Sequence, residues 1–229
     1  MLRSTSRALP YLTLIGMVVA LYGAFIHAPE ERTMGDVQRI FYFHVSSWWI
    51  AGLAFLVVFA GSVAYLATGE RWYDTLALAS AEIGVVFTTL GLITGPLWAK
   101  PVWGIFWTWD ARLTTALVLW LIYVSYLMLR HFLPDEEKRA KLAAVAGIIG
   151  FVDVPIVYMS IRWWRTQHPS PVILGGQGSG LDSVMAQGLA MGLTGFFFLY
   201  VWLLERRIAL ERAQQEIDFL YKQVEAHRA

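Results

Sequence analysis

Two histidines and a run of indoles are the residues of this chain best suited to chemistry. His44 sits in Q-R-I-F-Y-F-H-V-S-S-W-W and His168 in I-R-W-W-R-T-Q-H-P-S-P-V. Between them in the chain lie Trp98, Trp103, Trp107 and Trp109, closed by Asp110 and Arg112 in W-A-K-P-V-W-G-I-F-W-T-W-D-A-R-L-T. Clustered indoles offer a broad flat apolar surface with N–H donors at its edge. Such a wall suits a large planar ligand better than it suits bond-making. Imidazole is the usual neutral ligand of haem iron, and two at one depth could hold the metal from both sides. A flavin or a chlorophyll-like ring would stack on the same wall, so the indoles alone do not choose.

The elements that must position these residues are membrane spans. The 229 residues are 57% hydrophobic and only 15% charged, whereas about a quarter of a soluble domain is charged. Six apolar stretches reach the roughly 20 residues that cross a bilayer, at Tyr11–Ile26, Val45–Ala67, Leu76–Leu97, Leu113–Phe132, Leu142–Ile161 and Ser183–Leu204. An all-α polytopic bundle of six transmembrane helices is expected, because lipid excludes unpaired backbone groups. Arg3 and Arg7 ahead of the first stretch also fit a signal sequence, and the later spans favour an uncleaved anchor. Alternate connections carry twelve Lys and Arg on one side and six on the other. That bias puts both termini in the cytoplasm. Segments 29–44, 98–112 and 163–182 then face outward together, bringing His44, His168 and the Trp-rich loop to one level.

No cysteine is present, which removes disulfides, thiolate metal sites and the C-x-x-C-H attachment of c-type haem. A haem held here would be bound without a covalent link, as haem b is. Its propionates would need cations, and Arg39, Arg112, Arg162 and Arg165 all fall on the outer side. Each could equally be an arginine snorkelling to the interface. His27, His131 and His227 read as interfacial or solvated.

These segments carry a resemblance. G-D-V-Q-R-I-F-Y-F-H-V at 35–45, W-G-I-F-W-T-W-D-A-R-L-T at 103–114 and R-W-W-R-T-Q-H-P at 162–169 resemble the haem exporter protein C (CcmC) family of cytochrome c maturation. The likeness covers nearly the whole chain, and the middle segment looks like the family's W-G-x-x-W-x-W-D signature. It implies a cradle of Trp103, Trp107, Trp109 and Asp110, with His44 and His168 as axial ligands. It further implies a multi-pass protein of the bacterial inner membrane that binds haem transiently at its periplasmic face. The implied partners are a periplasmic haem chaperone (CcmE-like), an ATP-binding-cassette ATPase with its membrane subunit (CcmA/CcmB-like) and a small single-span subunit (CcmD-like). Trp98, Arg39, Arg112 and Arg165 join the expected haem-binding set by position.

Other function classes fit less well. A b-type electron-transfer cytochrome commonly carries histidine pairs within its spans, and a solute permease needs a polar path. Only Glu82 and Asp153 are candidates for such a path, and both read more simply as hydrogen-bonded interhelical groups. Pro155 should kink the fifth span. No nucleophile, base and orienting acid assemble in the outer loops, so no enzymatic turnover is expected. No basic stripe suggests nucleic acid. G-G-Q-G-S-G at 175–180 reads as a loop rather than a phosphate cradle. The chain divides into a transmembrane unit, 1–204, and a charged helical tail, 205–229. In the tail Leu210, Ala213, Ile217, Leu220 and Val224 form a short apolar stripe. That stripe fits either a partner's surface or a continuation of the sixth helix along its own bundle.

Overall fold

A computed structural model describes residues 6–171, 173 and 180–228. Arg3, and Gly175, Gly176 and Gly178 of the glycine-rich run, lie outside the described residues. Seven α-helices supply the six spans: α1 Leu9–Tyr22, α2 Ile40–Thr68, α3 Arg71–Trp103, α4 Ala111–Phe132, α5 Glu136–Phe151, α6 Asp153–Trp163 and α7 Ser183–Arg228. Six helical units are long and apolar enough to cross a membrane, with α5 and α6 forming one between them. Among the described residues there is no strand.

The fifth span breaks at Val152. Pro155 explains the position, since it has no N–H to give the carbonyl of Phe151 four residues back. The consequence is a change of partner. Helix α5 packs on α2 and α4, whereas α6 packs on α4 and leaves α2.

Two boundaries differ from the sequence expectation. Helix α2 begins at Ile40, after a 3₁₀ turn at Asp36–Arg39, so His44 lies inside the helix instead of just before it. Helix α3 runs on to Trp103, so Trp98 and Trp103 are helical and the connecting loop shrinks to 104–110. Pro96 and Pro101 mimic a loop in the sequence. Each removes one ladder bond, and the remaining bonds hold the turn. The helix stops only at Gly104, whose φ of 75° favours a residue without a side chain.

Small residues set the closest helix contact. Gly188 and Gly195 of α7 face Gly16, Ala20 and Gly23 at the start of the chain, Gly192 faces Tyr42 and Ser46 of α2, and a Cβ on Gly195 would come within 2.5 Å of the Gly16 carbonyl oxygen. Apolar helices in lipid gain from such close backbone approach. Thr13 adds a hydrogen bond to the Phe198 carbonyl at 3.1 Å. The main core lies between α2, α3, α4 and α7, where Phe55 stacks on Tyr123 at 3.6 Å between centroids.

Ion pairs gather at the end away from the Trp-rich loop. Arg130 forks onto both oxygens of Asp74 at 2.6 and 2.8 Å. Arg207 binds Glu82 in the same two-pronged way and reaches Glu211 at 2.9 Å. Glu82 is thus an interhelical partner rather than part of a path. Helix α7 continues without a break past Leu204, and Gln215 and Lys222 bond Thr75 and Glu136, so the tail lies along its own bundle.

Replacing Gly195 with Leu should force α1 from α7. Overpacking of this kind costs about 1–3 kcal/mol, and the thermal midpoint of the detergent-solubilised protein should fall while Gly52→Ala, in open space, leaves it unchanged.

Candidate functional site

Three connections meet at one end of the bundle: 28–39, 104–110 and the described residues 164–171, 173 and 180–182 of the last one. Beneath them is a cavity of about 480 Å³ walled by His44, Trp98, Trp103, Trp107, Arg112 and His168. A second cavity of about 580 Å³ adjoins it, and His44, Trp48, Trp98, Arg112 and His168 line both. The two histidines, 124 positions apart in the sequence, therefore stand at one place.

His44 is seated by the face of α3. Gly91 and Gly95 are four residues apart on that helix, and a Cβ at either would strike Trp48 or His44, which are four apart on α2. His44 also meets Trp98 edge-on, at 5.9 Å between centroids and 70° between planes. Its Nδ1 is 2.9 Å from the Thr94 hydroxyl oxygen. That hydroxyl already donates its only proton to the Leu90 carbonyl at 2.7 Å, so Thr94 accepts from His44 Nδ1–H. With that proton given to Leu90, His44 carries its own on Nδ1 and leaves Nε2 unprotonated.

His168 arrives at the same state by a different route. Its Nδ1 lies 2.8 Å from the Pro169 carbonyl, which can only accept. Nδ1 is the donor and Nε2 is again free. Burial, with the nearby Arg112 cation adding to it, holds this imidazole down to about 4, so it is neutral at physiological pH. Both rings present the unprotonated nitrogen that iron requires.

The indoles divide by position. Trp98 and Trp107 each bury an Nε1–H that has no acceptor among the described residues. Trp103 lines the first cavity while remaining 43% exposed. Trp109 is 76% exposed, stands edge-on to Trp107, and lines neither cavity. Lys100 secures the loop by donating to the Gly104 carbonyl at 2.8 Å.

Asp110 also lines neither cavity. It caps α4, accepting from Leu113 N–H at 3.0 Å and from the Thr108 hydroxyl at 2.9 Å. Thr166 and the Gln167 N–H, immediately before His168, lie close enough to favour its charged form as well. Burial alone would raise its pKa, but the two hydrogen bonds and these neighbours outweigh burial and hold it below the usual carboxylate value. Asp110 thus stands between the Trp-rich loop and the His168 segment.

The arginines separate too. Arg112 donates to the Val157 carbonyl and lines both cavities. Arg39 pairs with Asp36 at 2.8 Å and donates to the carbonyls of Ala24 and Ala28, which pins the connection between the first two spans. Arg165 is exposed and lines neither cavity. Trp48, Thr94, Gly91 and Gly95 complete the site without having been expected from the sequence. Trp48, one turn from His44, carried a readable signal; Thr94, fifty positions away, carried none.

This geometry meets the sequence resemblance, and comparison with known proteins decides the family. The family model described as "Heme exporter protein C" matches residues 1–222. The chain belongs to the haem exporter protein C family. A "Heme exporter protein C" of Bradyrhizobium diazoefficiens is 35% identical over 202 residues, 87% of this chain and 76% of the relative. The Escherichia coli K12 protein of the same name is 34% identical over 199 residues, covering 83% and 78%. A Marchantia polymorpha protein, "Putative cytochrome c biosynthesis ccmC-like mitochondrial protein", is 34% identical over 181 residues, covering 79% and 76%. Haem exporter protein C is a family of membrane transport components, not of enzymes.

Because Asp110 stands beside Thr166 and the Gln167 N–H, Asp110→Ala should loosen that segment as well as uncap α4 at a cost of about 1 kcal/mol. Limited trypsinolysis after Arg165 should accelerate in this variant, and unchanged cleavage would place the anchor elsewhere.

Proposed function

We propose that this chain is a haem-handling subunit of cytochrome c maturation, holding haem b without a covalent link between His44 and His168. The observation that carries the reading is the pair of imidazoles, each with Nδ1–H committed and Nε2 free, lining the same two cavities. The printed names of the family and its relatives support it. Trp98, Trp103 and Trp107 would flank the macrocycle, and the unpaired indole N–H groups of Trp98 and Trp107 would meet acceptors on it. Arg112 is the arginine best placed for a propionate. Trp109 and Asp110 serve differently: one faces out where an acceptor protein would approach, and the other positions His168.

The Lys and Arg asymmetry supports a periplasmic site in a bacterial inner membrane, with both termini cytoplasmic. The acceptor would be a periplasmic haem chaperone (CcmE-like). ATPase and membrane subunits of an ABC complex (CcmA/CcmB-like) and a single-span subunit (CcmD-like) would be partners within the bilayer and below it. Hand-over needs a ligand that leaves, and dissociation rate is the quantity that such a site tunes.

Purified protein supplied with haem should give a six-coordinate, low-spin spectrum. His44→Ala and His168→Ala should each convert it to a high-spin form, and the double variant should abolish it. A low-spin spectrum that survives both substitutions would refute the ligand assignment. Trp107→Ala should weaken retention by about 1 kcal/mol, roughly fivefold in Kd, with insertion unchanged.

A further inference from the structure

The second cavity is larger than the histidine pair needs, and its shape points elsewhere. From His44 it follows α2 past Gly52 and Leu53 to Leu56, twelve residues or about 18 Å along the helix. Its opposite wall is the end of α5 at Phe151 and α6 from Val154 to Ile161. Half the hydrocarbon thickness is about 15 Å, so the groove descends from the histidine level toward the bilayer centre.

It opens sideways. Helix α6 packs on α4 rather than on α2, and the span is interrupted at Val152 between the part that packs on α2 and the part that does not. Trp49 and Leu56 line the groove and are 37% and 47% exposed, on a surface that faces lipid. Gly52 lies between them, and a Cβ there would meet nothing within 4 Å.

The lining is graded. Arg112, Tyr158, His168 and Ser170 stand at the histidine end, and below them the walls are aliphatic or aromatic. Among the described residues no carboxylate or lysine lines the groove. A polar solute or ion would lose its hydration along this wall without replacement. A flat apolar ring with its charges on one edge would not, provided that edge leads toward Arg112.

We propose that the groove between α2 and α6 is a lateral portal through which haem exchanges between the bilayer and the His44–His168 site. This rests on the haem-binding reading above and adds to it the source of the cargo. Gly52 keeps the portal open, Trp49 narrows its mouth, and the break at Val152 creates it.

The test uses the full chain in phosphatidylcholine vesicles whose bilayers already contain haem. The readout is the rate at which low-spin absorption develops, with the rate of loss to an excess of apo-albumin as the reverse measurement. Gly52→Trp, which fills the groove two turns from His44, should slow loading and loss alike, about tenfold or more, with the final spectrum and Kd unchanged. Trp49→Ala should act in the opposite sense and speed both. If wild type and Gly52→Trp exchange haem at equal rates, and Trp49→Ala does not speed exchange, the portal is wrong while the haem site stands. If wild type never develops low-spin absorption, the haem reading itself fails, and the portal with it. Should Gly52→Trp not fold, Trp49→Ala decides alone, and unchanged rates in it overturn the proposal.

Discussion

Inside a bilayer a carbonyl without a hydrogen bond has no water to turn to, and that constraint organises this protein. Most of the chain obeys it with uninterrupted helices. The departures are confined: a π turn at Gly23–His27, prolines at 96 and 101 in α3, and the break at Val152. Pro96 lines the first cavity and Pro155 the second. Irregular backbone is tolerated in membranes where it borders a cavity or is covered by protein, so the broken ladder and the hollow end of the bundle are two aspects of one solution. Straight spans would pack along their whole length and leave no space between α2 and α6.

Charge is distributed by the same economy. Arg130 with Asp74 and Arg207 with Glu82 neutralise one another at the opposite end and on the flank of the bundle. Arg112 has a different fate. Among the described residues it has no carboxylate in ion-pair contact, only the Val157 carbonyl, and it stands at the wall of both cavities. A cation placed in apolar surroundings without its own counter-charge is ready for an anionic group from outside.

Much of this was legible in the chain. Span number follows from apolar length, and the interruption of the fifth span follows from Pro155. His44 and His168 could be paired because alternation of spans puts their connections at one end. Helix termini were not legible, for definite reasons. Pro96, Pro101 and four indoles look like a loop, although a helix absorbs the prolines and ends only at Gly104. Arg39 sat as near the site in sequence as Arg112 does, yet three local acceptors retain it. Asp110 closes the Trp-rich motif in sequence, while its hydrogen bonds run to Thr108 and Leu113 and its carboxylate lies beside Thr166 and Gln167, a meeting of connections that no local pattern encodes. The tautomer of His44 depends on Thr94 and Leu90, and becomes visible only once α2 lies on α3.

The glycine contact between α1 and α7 bears on how the protein is made. Helix α1 finds its principal partner in α7, and its other side is a continuous lipid-facing surface of Leu12, Ile15, Val19 and Tyr22. Helix α1 therefore docks on a helix that leaves the ribosome much later than itself. Until Gly188 and Gly195 have been synthesised, α1 lacks this partner, and until Gly192 reaches Tyr42 and Ser46 the end of the bundle that holds His44 cannot be completed. Closure of the site is a late event in biogenesis, dictated by the order of translation.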